Sequence, residues 1–273
     1  MRIAEHFDPP GGADGGAAGG AELMRPGVIL GPASAVDASV RATLERLLAV
    51  EAGLGQITVN ENGGRGLAEL IRWLMRSWGT RGPIAFLIGP FSTGASGLVA
   101  ARHLSNAGIM VRIVLAGSPR SLGYAVEMQL GMLERMGVRP IQLGPRGPGL
   151  AVREVVTTAS VLVDALLGGG LCRLPRGHVL ELVQLVSGCV TPVVSVDYPT
   201  GVHPDTGGTA DDWLRATSTA ILGLPVACVV SPGCENQAGD RYLLDIGVPR
   251  FIYDALGAES APWFMDGSVV RVV

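Results

Sequence analysis

Residues 84–104 read Ile-Ala-Phe-Leu-Ile-Gly-Pro-Phe-Ser-Thr-Gly-Ala-Ser-Gly-Leu-Val-Ala-Ala-Arg-His-Leu. The first five are apolar and of strand length, and Gly89-Pro90 closes them. A Gly-rich connector follows, and then a helix-like stretch over 97–107 running through Ala101 and Leu104. The order is strand, Gly-rich connector, helix.

Working outward, the same order recurs. Apolar, β-branched runs at Val111–Leu115, Val161–Val163 and Val193–Val196 read as strands, with helix-like stretches over 121–136 and 177–187 between them. Gly108, Gly137, Gly188 and the Ser118-Pro119 step punctuate the joins. Alternation at this rhythm predicts a three-layer αβα, Rossmann-like sandwich around a mostly parallel sheet. Strand-like pieces at 219–223, 226–231 and 241–246 continue it. Toward the N-terminus, Asp37 is placed to cap a helix carrying Val40, Leu44, Leu47, Leu48 and Leu54. A second helix is expected from Asn62 to Trp78, with Leu67, Leu70, Ile71 and Leu74 on one stripe. Residues 8–27 are Gly, Ala, Pro and Asp with little to bury. The expected division is therefore a flexible Gly/Ala-rich arm over 1–36 and one α/β domain over 37–273.

Composition narrows the function classes. The chain has 273 residues, 48% hydrophobic and only 16% charged, with net charge −3. A polyanion binder is strongly basic, so nucleic acid is not an expected partner. All 21 basic residues are Arg, which removes lysine Schiff-base, phosphate-loop and general-base chemistry. No apolar run approaches the ~20 residues of a membrane span, and the first residues lack the apolar segment of a secretory signal. Cys172, Cys189, Cys228 and Cys234 form no Cys-x-x-Cys pair and read as reduced packing residues of a cytoplasmic protein.

In an open parallel α/β sheet, ligands bind beyond the carboxyl ends of the strands. Three segments fall there. Gly89 to Gly97 offers glycines for close backbone approach and a helix N-terminus for an anion. Asp164, followed by Gly168-Gly169-Gly170, ends an apolar strand as either a turn cap or a ligand-facing carboxylate. Asp197-Tyr198-Pro199-Thr200-Gly201 ends another. Two carboxylates and a Gly-rich loop at neighbouring strand ends converge on one crevice.

On these segments the chain resembles the YjeF N-terminal domain family, the NAD(P)H-hydrate epimerases. The family's A-R-H-L-like helix stands here as Ala101-Arg102-His103-Leu104, its D-A-x-F-G-x-G motif at 164–170, and its D-I-P-S-G as Asp197 to Gly201. Glu61 to Ala68 is similar to its E-x-A-G-R-x-x-A helix, and Asp245-Ile246-Gly247-Val248-Pro249 to its D-I-G-I-P. The likeness is collinear over roughly residues 40–250.

The resemblance implies an isomerase that inverts C6 of hydrated NAD(P)H, the hydrate being substrate rather than cofactor, with a separate dehydratase completing repair. It implies a dinucleotide-binding loop at Ser92, Thr93, Gly94, Ala95 and Ser96 with Gly168 beside it, and Asp197 as the catalytic, substrate-facing carboxylate. A potassium ion would be held by Thr93, Asp164 and Thr200, all hard oxygen donors. Asp197→Asn is then expected to abolish turnover with little change in stability.

The loop departs from the family pattern. Where the family has Asn-Asn-Gly-Gly-Asp, this chain has Ser92-Thr93-Gly94-Ala95-Ser96, and Phe91 replaces a glycine, filling ligand space or straining the backbone. That leaves a second reading open, a non-catalytic homologue holding a nucleotide-like ligand or a protein partner. Arg102 and His103 are read as structural. Trp73 and Trp78 are read as core or dimer contacts, a homodimer being the oligomer they suggest.

Overall fold

The computed structural model describes residues 35–117, 121–144, 147–168, 174–258 and 263–272. The arm through residue 34, the Ser118-Pro119 step and Gly169-Gly170 lie outside them.

The strands are β1 (Ile84–Ile88), β2 (Val111–Leu115), β3 (Ile141–Gln142), β4 (Val161–Ala165), β5 (Val193–Val196), β6 (Ser218–Leu222), β7 (Asp240–Leu244) and β8 (Val269–Val272). They form one sheet in the spatial order β3-β2-β1-β4-β5-β6-β7-β8. All neighbours are parallel except β7 and β8. The chain winds outward from β1 in one direction through β2 and β3, then restarts on β1's other side with β4. That reversal opens a crevice at the carboxyl ends of β1 and β4, where such sheets take their ligands.

The helices are α1 (Ala38–Val50), α2 (Gln56–Ser77), α3 (Ser92–Asn106), α4 (Tyr124–Arg135), α5 (Leu150–Thr158), α6 (His178–Ser187), α7 (Glu235–Ala238) and α8 (Arg250–Ala255). Because side chains alternate along a strand, β1 serves two cores. Ile84, Phe86 and Ile88 pack with α1 to α4, whereas Ala85 and Leu87 pack with α5 and α6. Helices therefore cover both faces, as the strand–helix rhythm predicts. A third cluster, around Tyr198, Ile221, Val229 and Leu243, closes the β6–β7 end.

α1 ends at Val50, so Leu54 lies beyond the helix it was expected to share with Val40 and Leu44. Three larger differences from the sequence reading concern α2, α3 and residues 226–231. First, α2 starts at Gln56 rather than Asn62, because Val59 and Asn60 extend the buried stripe of Gly63, Leu67 and Ile71. Second, α3 starts at Ser92, so Ser92 to Ser96 are helix rather than loop. Its small residues permit this. A Cβ on Gly94 would fall 2.2 Å from the Gly89 carbonyl oxygen, and one on Gly97 2.8 Å from Ala165 Cβ. The helix thus seats directly on the ends of β1 and β4. Third, 226–231 is no strand. β6 and β7 pair directly with each other, leaving no sheet position between them, and Ala227–Val229 forms one turn of 3-10 helix.

Candidate active site

The three segments singled out in the sequence meet at the carboxyl ends of the interior strands β1, β4 and β5. The Gly89 N–H donates to the Ala165 carbonyl at 2.9 Å, tying the end of β1 to the end of β4. Gly168 has φ 151°, and a Cβ there would lie 2.5 Å from Thr93 Oγ1, so only glycine lets α3 approach this turn. The Leu167 N–H donates to Thr200 Oγ1 at 3.3 Å, joining the end of β4 to the turn after β5.

Asp164 is fully buried at the centre of this junction. Oδ1 accepts from Thr200 Oγ1 at 2.7 Å and the Leu166 N–H at 3.3 Å. Oδ2 accepts from Ser195 Oγ and the Thr200 N–H, both at 2.9 Å. Burial pushes its pKa up, opposed by those four donors. Asp164 therefore caps the turn that follows it, and Thr200 stands in direct contact with it. Thr93 is 2% exposed, and among the described residues nothing hydrogen-bonds its hydroxyl.

Asp197 is 1% exposed and adopts φ 74°, in the left-handed region that non-glycine residues rarely occupy. Its Oδ1 accepts from Arg41 Nη2 at 3.1 Å, closing a buried ion pair with α1. The same nitrogen donates to the Leu222 carbonyl at 2.9 Å. Asp197→Asn would therefore disturb a buried charge pair, which corrects the expectation that it is neutral for stability.

The N-terminus of α3 carries no side-chain cap, leaving its first amides for an anion. Phe91 precedes it at φ −106°, a region open to any residue, so the strain reading of Phe91 is set aside. Its ring fills space instead. It lines a cavity of about 270 Å³ shared with Ala42, Glu45, Gln56 and Thr93, and another of about 910 Å³ shared with Ser121 and Arg176.

Two buried polar residues here escape the sequence reading. Asn60 Oδ1 accepts from Ser92 Oγ at 2.9 Å and Ser96 Oγ at 3.3 Å, so an amide from α2 meets the hydroxyls of α3. Arg41 is the other. A signal existed for both. Arg41 stands three and seven positions before Leu44 and Leu48, and Asn60 three and seven before Gly63 and Leu67, so each sits on its helix's buried stripe. Arg102 and His103 both engage Glu61 on α2, tying α3 to α2, which favours the structural reading of both. Trp73 packs edge-on against Tyr242 and Trp78 against the same core, which favours the core reading of both.

These features define an α/β protein with a crevice at its topological switch point, walled by two N-terminal helices and furnished with buried carboxylates. The model of the YjeF-related protein N-terminus matches residues 57–228, and the chain belongs to that family. It is 35% identical over 251 residues to a bifunctional NAD(P)H-hydrate repair enzyme Nnr of Salinibacter ruber, covering 86% of this chain and 43% of the relative. To the NAD(P)H-hydrate epimerase of Dehalogenimonas lykanthroporepellens it is 30% identical, covering 87% of this chain and 92% of the relative. The chain thus spans less than half of the bifunctional relative and nearly all of the other. The crystal structure of the yeast protein ynu0 superposes with a TM-score of 0.72 at 22% identity, covering 87% of this chain and 99% of that one, which shows the same fold.

Proposed function

We propose that this chain is an NAD(P)H-hydrate epimerase, interconverting the R and S forms of the hydrated nicotinamide. The observation that carries this reading is that the uncapped α3 N-terminus, the Asp164–Thr200 junction and the turn holding Asp197 lie together at the carboxyl ends of β1, β4 and β5. Relatives named for this activity match collinearly across most of the chain.

The chemistry needs little. C6 of the hydrate carries a hydroxyl and is bonded to the ring nitrogen. When the C6–N bond breaks, its electron pair stays on nitrogen, nitrogen takes a proton from solvent, and the hydroxyl proton passes to Asp197. The resulting carbonyl rotates, and closure with the transfers reversed gives the opposite epimer. Proton transfer by a placed carboxylate is worth ~10²–10⁴-fold. The α3 amides and the Ser92 and Thr93 hydroxyls would bind the dinucleotide, with Gly94, Ala95 and Gly168 allowing its close approach.

Thr93, Asp164 and Thr200 fit a potassium ion in donor type. Asp164 is a buried carboxyl that forms no ion pair among the described residues. Its four acceptor positions are filled by Thr200, Ser195 and Leu166, so it would back a cation through the Thr200 hydroxyl that it touches. A bound cation would supply positive potential beside the dinucleotide.

Among the described residues no helix is long and apolar enough to cross a membrane. Cys189, Cys228 and Cys234 are free thiols, which supports a reducing, cytoplasmic setting. A separate dehydratase would then consume the epimer it accepts. The test is to give purified protein one epimer of hydrated NADH and follow the epimer ratio against a protein-free control. A ratio that relaxes no faster than the control overturns the reading.

A further inference from the structure

We propose that Arg41 of α1 is a positioning residue for the inversion, orienting the Asp197 carboxylate and supplying the counter-charge that lets it act as a base inside the protein. This rests on the epimerase reading.

The geometry is specific. One guanidinium nitrogen bridges Asp197 Oδ1 at 3.1 Å and the Leu222 carbonyl at 2.9 Å, pinning the turn after β5 to the end of β6. The Asp197 N–H donates to the Ala220 carbonyl at 2.7 Å, so backbone and side chain are both fixed on β6. Asp197 at φ 74° is a conformation that surrounding contacts must hold. The wall of the crevice is continuous with the pair, since Ala42 and Glu45 of α1 line the cavity beside Phe91.

Packing alone does not explain Arg41. Its stripe partners Leu44 and Leu48 are aliphatic, and a Leu or Met at position 41 would complete an apolar face. Instead a guanidinium is 4% exposed, with Nε buried and unpartnered. A buried pair of this kind is seldom more stable than a hydrophobic replacement. What it gives is a carboxylate with fixed direction and charge.

The titratable groups described around the pair carry no positive charge of their own. Tyr253 on α8 and Cys228 on the 227–229 turn are both pushed above their ordinary range, chiefly by burial. Asp205 and Asp245 are the acidic groups whose charges reach those two side chains, and neither adds positive charge. Among the described residues, Arg41 is the cation that forms an ion pair with Asp197.

The experiment uses the full chain with Arg41→Met and Arg41→Lys, measuring epimer inversion, with melting curves on the same samples. In Arg41→Met, kcat should fall about 10²-fold with KM within a few-fold. Arg41→Lys keeps the charge but its shorter side chain ends short of the Nη2 position, so it should restore part of kcat with KM still within a few-fold, which a merely structural role would not do. If Arg41→Met does not fold, Arg41→Lys decides alone. A kcat within twofold of the parent then overturns the proposal, and a several-fold loss of kcat at unchanged KM in a folded protein supports it. A folded Arg41→Met with the parent's kcat overturns the positioning role and leaves the epimerase reading standing. A parent chain without activity overturns both.

Discussion

Glu61 on α2 and Arg102 on α3 form a part-buried ion pair, and the second Glu61 oxygen meets His103 Nε2 at 2.8 Å. Two motifs quoted separately from the sequence thus meet across the helix interface. Burial raises the Glu61 pKa, but the hydrogen bonds from Arg102 and His103 outweigh it and hold the carboxyl below its ordinary 4.5. A depressed folded-state pKa contributes stability that is present above 4.5 and lost as pH falls through the folded value. Glu61→Gln should therefore lower the melting temperature modestly at pH 7, and flatten its fall on acidification below 4.5. Thermal melts of parent and variant over that range give the comparison. Parallel curves would remove Glu61 from the acid response.

Much of this fold can be read from local signals. β1, β2 and β5 fall where apolar, β-branched runs end at Gly, Pro or Asp, because strands buried on both faces write their length directly. β3 has only two residues, and in β8, antiparallel at the sheet edge, Arg271 interrupts the apolar run. α5 carries Val152, Val155 and Val156 on its buried face but follows a Gly/Pro-rich stretch that hides its start. The site divides in the same way. Asp164, Asp197 and Thr200 are legible because each stands at or just beyond the end of a strand. Arg41 and Asn60 gain their meaning from partners 156 and 32 residues away, which no local pattern encodes.

The Arg41–Asp197 pair makes a stability prediction independent of turnover. Removing one partner takes a buried opposite charge from the other, so Arg41→Met should cost about 3–5 kcal/mol. Asp197→Asn leaves an amide oxygen that still accepts from the guanidinium and should cost less, within the ~1–3 kcal/mol of a weakened buried contact. Combining them should cost less than the sum, because the contact between the two is lost only once. A urea-denaturation cycle over the four proteins measures the coupling. Strict additivity would mean that the contact does not exist in solution.

Phe91 stands between two cavities at the crevice and lines both. With no backbone strain to relieve, its effect on ligands is steric. Phe91→Ala should join the cavities and raise kcat/KM for the hydrate about tenfold, equivalent to ~1.4 kcal/mol of better transition-state binding. An unchanged or lowered kcat/KM in a folded variant would show that the ring supports the substrate instead of excluding it.

Potassium can be tested without any enzymatic assay. A ligand that binds only the native state raises stability by mass action, so potassium chloride should raise the parent's melting temperature relative to choline chloride at equal ionic strength. Asp164→Asn is a poor probe of this effect. An amide there would turn a donor toward Ser195, Thr200 or Leu166, whose N–H and O–H groups now donate to the carboxylate, costing about 1–3 kcal/mol by itself. Thr93→Val is the cleaner change. It preserves the branched shape against Gly168, and among the described residues it breaks no hydrogen bond. In choline chloride the Val variant should therefore melt close to the parent. If Thr93 helps hold the cation, the potassium increment should shrink by more than half in this variant. An increment equal to the parent's would take Thr93 out of the cation site, and no increment in the parent would remove the site altogether.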